Sequence, residues 1–416
     1  MSMWTEADWV RTARRVESLQ DEMIELQRAL CAIPALCPSS GGEGELAKAQ
    51  FLKRVIAALE PDLLEEVHAP DPQVPSGIRP TLVAKWKGRD SSRTFWIMTH
   101  TDVVPPGDLS QWKHDPWQAH VEDGRIYGRG VEDNQQSLVA SVFALKACRL
   151  ERVPLPMDVG LMFLADEETG SALGMEYVME HTRYVQPTDL VAVPDGGSPD
   201  GSEVEVAEKG SVWIRVHTRG RQCHASTPEQ GVNAFRAASA LVVSLDSLYQ
   251  DFPQRNAVFA PPISTFEPTK KEPNVPNVNT IPGDDVFYVD CRVLPEIPLE
   301  QVLAAVRRRA DEVERRYRVQ VEVEVDKISH AAPPTPADAP VVRLTVEALK
   351  KVYGVEARVV GIGGGTVAAF PRRKNVPAVV MGRNQETCHQ PNESCVIADL
   401  VGDAKMFAYM MGAASA

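Results

Sequence analysis

Two histidines and a set of carboxylates stand where short apolar runs of this chain give out. Residues 94–98 lead into His100 and Asp102, residues 159–165 into Asp166, Glu167 and Glu168, residues 190–193 into Asp195, and residues 378–381 into a loop holding His389. Asp133 follows Gly128-Arg129-Gly130 and precedes a helix-like run through Leu138, Val142 and Leu145. Crowded carboxylates repel one another, and a divalent cation turns that repulsion into binding. Imidazole and carboxylate donors, with no paired thiolates, suit zinc, manganese or cobalt. Two histidines and three carboxylates exceed what one tetrahedral zinc needs with a position left for water, so two ions sharing a carboxylate fit better. Such a pair acidifies a shared water and polarises a carbonyl. An unligated glutamate beside it can take the proton and pass it to a leaving amine.

Each residue also has a plainer role. Asp133 suits a helix N-cap, Asp195 a turn, and Glu167-Glu168 the acidic approach to a helix capped by Thr169 or Ser171. His100-Thr101-Asp102 reads equally as a surface His-x-Asp, and His389 as a loop histidine. Five such residues falling at strand ends or helix starts favour the shared site, because ligands of an open α/β sheet collect outside the carboxyl ends of its strands.

The elements that must place them follow from patterning. The runs at 94–98, 159–165, 190–193 and 378–381 read as strands buried on both faces, in a sheet between helices. Helical spacing spans 7–32, 44–59 and 341–352. From 208 to 327 the order changes to strand (213–218), helix (234–248), strand (286–293), helix (299–317), strand (319–325), which suits an inserted α+β domain of the split-βαβ kind. The expected organisation is a discontinuous catalytic domain, 1–207 and 328–416, with an insertion at 208–327.

These segments also resemble a known family. Thr99-His100-Thr101-Asp102-Val103-Val104-Pro105, Gly128-Arg129-Gly130-Val131-Glu132-Asp133-Asn134, Ala165-Asp166-Glu167-Glu168-Thr169-Gly170-Ser171, Pro194-Asp195-Gly196-Gly197 and His389-Gln390-Pro391-Asn392-Glu393 are similar to motifs of one two-metal group. It comprises the aminoacylases, acetylornithine deacetylases, succinyl-diaminopimelate desuccinylases and glutamate carboxypeptidases. The resemblance implies a zinc-peptidase-like α/β fold, with a mixed, mostly parallel sheet and an inserted ferredoxin-like lid and dimerisation domain. It implies His100 and Asp195 on one ion, Glu168 and His389 on the other, Asp133 bridging, Glu167 as general base and Asp102 orienting His100. His224, in Gly220-Arg221-Gln222-Cys223-His224, would steady the oxyanion, and Asn279, Arg292, Gly364, Gly365 and Thr366 would meet substrate. One departure is Val367-Ala368-Ala369-Phe370, where relatives often carry an acidic residue and then a carboxylate-gripping arginine. Either Arg372, Arg373, Arg292 or Arg383 substitutes, or the substrate lacks the standard α-carboxylate, and the walls around Ala368 and Ala369 are expected to set specificity.

Composition bounds the rest. With 416 residues, 44% hydrophobic and 24% charged, the chain can bury a large core, and a net charge of −13 disfavours nucleic acid and anionic membranes as partners. Seven irregularly spaced cysteines point to reduced thiols and a cytoplasmic setting. Trp4, Glu6, Asp8 and Arg11 interrupt any leader-like apolar stretch, and no run approaches the roughly 18 apolar residues of a membrane span. The expected activity is hydrolysis of an N-acyl amino acid or small peptide-like amide, and the resemblance implies a homodimer joined through an edge strand of the insertion, with 213–218 as the candidate strand. The alternatives are an aminohydrolase acting on a non-peptide, for example aromatic, amine with the same ions, and an inactive binding or scaffold relative.

Overall fold

The computed structural model describes residues 4–414. The chain forms two units. One comprises the chain up to Val206, Pro334–Val360 and the chain from Thr366 on; the other is Ala207–Pro333 with Gly361–Gly365.

The first unit is built on a mixed eight-stranded sheet in the order Leu63–Pro70, Ile78–Trp86, Met157–Leu164, Asp90–His100, Leu190–Val193, Ala378–Val380, Glu203–Glu208, Arg358–Ile362. Its central four strands, from Met157–Leu164 to Ala378–Val380, are mutually parallel, so their carboxyl ends share one edge. These are the continuous apolar runs of the sequence, and Met157–Leu164 is buried at every position. Side chains from one face, including Trp96, Met98, Met162, Leu164, Val191 and Val380, pack into one core.

Four strands of this sheet were not among the runs read from the sequence: Leu63–Pro70, Ile78–Trp86, Glu203–Glu208 and Arg358–Ile362. Leu63–Pro70 carries Glu65 and Glu66 on a half-exposed edge, and Ile78–Trp86 contains Pro80; both pair antiparallel and need no unbroken apolar run. The stretch expected as one helix at 7–32 is two, Glu6–Ser18 and Gln20–Cys31. They break at Leu19, whose N–H turns to Val16 O, and the one-residue break leaves the apolar spacing intact.

In the second unit an antiparallel sheet runs Thr265–Lys271, Asp284–Val293, Gly210–Arg219, Gln320–Ser329, with helices Ala234–Leu245 and Leu299–Tyr317. The order is β-α-β-β-α-β, the split-βαβ arrangement. The extra strand, Thr265–Lys271, is mostly exposed and carries Pro268, as edge strands do. Residues 213–218 are therefore not an edge: they lie between Asp284–Val293 and Gln320–Ser329. The unit also extends past 327, because pairing continues to Ser329 opposite Ser211.

Candidate metal centre

His100 closes its strand, and its buried ring is fixed from both sides. Nδ1 lies 3.0 Å from the main-chain carbonyl of Asp102, and Nε2 lies 2.9 Å from Asp133 Oδ1 and 3.6 Å from Asp195 Oδ1. A ligand imidazole held through its other nitrogen by a carbonyl is a common outer-shell arrangement. The Asp102 carboxylate, 3.5 Å from Nδ1, has a further job: it accepts the backbone N–H groups of Glu167 (3.1 Å) and Glu168 (3.0 Å). One residue thereby sets the histidine and both glutamates.

The Glu167-Glu168 turn is pinned from below as well. Asp166, at φ +62°, donates its N–H to Glu45 (3.1 Å) and accepts from Leu173 N (2.8 Å) and the Thr169 hydroxyl. Glu45 is itself held by both ends of the buried Arg79 guanidinium. The next helix, Met175–His181, starts too late for these acids to serve its first turn.

Asp133 is not an N-cap: the helix Gln135–Leu150 has no side-chain cap. Its two oxygens instead face opposite ways, Oδ1 to His100 and Oδ2 to His389 Nε2 at 3.1 Å, and His389 Nε2 also lies 3.1 Å from Glu168 Oε2. Asp195 is placed by Asn134, whose amide donates to Pro194 O (2.8 Å) and Asp195 Oδ1 (3.0 Å). The loop behind it needs Gly197: at φ +118°, a Cβ there would lie 2.2 Å from Gly382 O.

Two loops hold Asp133 and His389 in register by gripping one another. Glu393, fully buried, accepts Arg129 Nη1 (2.6 Å) and the N–H groups of Gly130 (3.0 Å), Glu132 (2.9 Å) and Asp133 (3.0 Å). Glu132 in return accepts the N–H groups of Gln385 and Thr387 and the Thr387 hydroxyl. Glu393 sits four residues after His389, inside the same motif, and that proximity was its signal. Glu45 and Arg79 had none, being 34 residues apart and meeting only on folding.

The electrostatics follow. Burial opposes the charged form of His100, but Asp102, Asp133 and Asp195 outweigh it and hold its pKa well above the ordinary imidazole value. Hydrogen bonds to Asp133 and Glu168 push His389 up to about 10. Burial works to raise Asp133, yet the two imidazoles hold it far below the usual carboxylate range. Burial, with the Asp195 charge beside it, drives Glu167 well above its ordinary value, and burial also raises Glu168. The cluster calls for positive charge at its centre.

The donor set fits two divalent ions. His100, Asp133 and Glu168, and again His100, Glu167 and Asp195, each offer three ligand atoms within 4.8 Å of one another. Glu168 Oε1 is buried without a hydrogen-bond partner among the described residues, an oxygen a cation would take. Asp133 itself turns Oδ1 toward His100 and Oδ2 toward His389.

The remaining expected residues belong mainly to the second unit. His224 lies on Cys223–His224, paired with Thr280–Ile281, and Ala225 N donates to Asn279 O (2.8 Å), so His224 and Asn279 are neighbours. His224 Nδ1 accepts from Ser226 N (3.2 Å), which puts the proton on Nε2 and leaves it a donor. Arg292 reaches Asp290 with Nε (2.7 Å) and Nη2 (3.0 Å) and Gly363 O with Nη1 (3.1 Å), beside Gly364 and Gly365. Thr366, in the first unit, accepts Ala368 N (3.2 Å).

Two expectations at this end are corrected. Val367 and Ala368 are packed in the core with Met98, Leu164 and Val380, so Ala368 and its buried neighbour Ala369 are not pocket walls. Arg372 is buried and holds Ala378 O (3.1 Å) and Glu205 O (3.0 Å), a structural task that removes it as a substrate clamp.

The family model for peptidase family M20/M25/M40 matches residues 96–413. An uncharacterized metallohydrolase of Methanocaldococcus jannaschii is 38% identical over 408 residues, covering 94% of this chain and 98% of the relative. A succinyl-diaminopimelate desuccinylase of Nitratiruptor is 26% identical over 377 residues, 89% of this chain and 94% of the relative. Among solved structures, human carnosine dipeptidase 1 superposes with a TM-score of 0.77 at 18% identity, covering 98% of both chains.

Proposed function

Because this chain belongs to peptidase family M20/M25/M40 and is a metallohydrolase acting on C–N bonds, we propose that it cleaves the amide of an N-acyl amino acid or small peptide-like molecule. The observation that carries the reading is Asp133, with one oxygen toward His100 and the other toward His389. We assign two divalent ions, Zn2+ first and Mn2+ or Co2+ compatible with the same donors, to His100 with Asp195 and to Glu168 with His389, with Asp133 between them. When bound, the ions supply Lewis acidity toward the scissile carbonyl and toward water.

The chain's own residues do the rest. Glu167, positioned by Asp102 through its main chain, takes the proton from the attacking water on its carboxylate and delivers it to the departing nitrogen. His224 donates from Nε2 to the developing oxyanion. Asn279, Arg292, Gly364, Gly365 and Thr366 contact substrate. Arg292, partly exposed and paired with Asp290 where Arg372 is buried, is the guanidinium we assign to an acidic group of the substrate, which would take over the Asp290 pairing. The N-acyl reading is supported by the relative named for removing succinyl from diaminopimelate.

We further propose a lid and dimerisation role for the second unit, the dimer forming through Thr265–Lys271 or Gln320–Ser329, the edges of its sheet. A cytoplasmic location is supported by seven free cysteines. A panel of N-succinyl and N-acetyl amino acids and dipeptides tests the activity: a free amino acid should be released, and Glu167→Gln should slow the release by roughly 10²–10⁴-fold. Ammonia from a non-peptide amine, with every amide untouched, would overturn it in favour of an aminohydrolase.

A further inference from the structure

A second group of metal-binding side chains lies outside the centre described above. His120 and Glu122 are two residues apart on the short strand His120–Glu122, so they share one face. From the preceding loop the His114 ring stacks on His120, centroids 3.8 Å apart and planes 23° from parallel. His114 Nε2 is 3.8 Å from Glu122 Oε2, and one donor atom from each residue lies within 4.8 Å of the other two. Tetrahedral zinc with ligands at about 2.0–2.1 Å spaces its donors about 3.4 Å apart, so these exposed side chains need only a short inward movement.

We propose that His114, His120 and Glu122 form a third transition-metal site, binding one ion of the Zn2+ class with two imidazoles and a carboxylate and leaving one position open to solvent. Stacked imidazoles cannot hydrogen-bond each other face to face, but both can turn a nitrogen to a common ion beside the carboxylate. The site joins a loop to an edge strand. That strand pairs with Arg125–Tyr127, which pairs with Ser394–Val396, the strand following the His389 loop. The His114 loop is tied to the same region: Lys113 N donates to Asn392 Oδ1 (2.7 Å), and Asn392 Nδ2 donates to Gln111 O (2.8 Å). An ion here therefore clips down chain bonded to the segment that carries His389.

The test is a zinc count. Untagged full-length protein is stripped with a chelator, dialysed against a low micromolar excess of Zn2+, and freed of unbound ion before analysis. Wild type should hold one equivalent more than His120→Ala, and His114→Ala should lose the same equivalent. Asp133→Ala, which disrupts the other centre, should keep it. Equal zinc content in wild type, His120→Ala and His114→Ala overturns the proposal whatever the two-ion centre does, because the difference reads this cluster alone.

Discussion

Asp133 and Glu167 carry different parts of the chemistry, and substitution should separate them. Glu167→Gln keeps the shape of the turn and the backbone bond to Asp102 but cannot take a proton. The expected result is a fall in kcat of roughly 10²–10⁴-fold with zinc content unchanged, measured by turnover and metal analysis on the same sample. Glu393 never reaches substrate, yet Glu393→Ala strands the buried Arg129 guanidinium and three backbone donors. Unpairing a buried ion pair costs about 3–5 kcal/mol, so urea unfolding should show a loss of that order, accompanied by weakened zinc retention. The gathering of His100, Asp133, Glu168, Asp195 and His389 was legible because each follows a patterned strand or precedes a patterned helix. Glu45 and Arg79 were not, because they are partners 34 residues apart and a single polar residue carries no period.

At the scale of elements, patterning revealed the strands that place the site. Parallel strands buried on both faces write themselves as continuous apolar runs, whereas Leu63–Pro70 and Thr265–Lys271 are edge strands with one face wet. Helix Ile397–Ala413 carries a polar residue that no pattern explains. Asp403 is fully buried, accepting the Tyr353 hydroxyl at 2.6 Å and Gln136 Nε2 at 2.7 Å, with Asp399 and Arg383 also facing it. Burial pushes its pKa from 3.8 up to about 7. Below about pH 4 the folded and unfolded chains both hold the proton; between about pH 4 and 7 only the folded chain does, so this group's contribution to stability is lost as pH rises through that window. Unfolding midpoints across pH 4–8 should therefore decline more steeply in wild type than in Asp403→Asn. Identical slopes would contradict the assignment.

For the whole molecule, the division into two units and the split-βαβ order of the second were visible as a change of pattern near residue 208. Which strand forms the edge was not: Trp213 to Thr218 alternates like an exposed strand, but alternation reports a wet face, not a free edge. If the edge strands join two copies, sedimentation should give twice 45.7 kDa, and Thr269→Pro on Thr265–Lys271 should return the monomer if that edge is the one used. The central claim concerns one carboxylate shared by two cations. Anomalous scattering at the zinc edge from crystals of the zinc-loaded protein reads it directly. Two peaks about 3.5–4 Å apart, one beside His100 and Asp195, the other beside His389 and Glu168, with Asp133 between them, are the expected result. A single peak there, or zinc bound only away from Asp133, would contradict it.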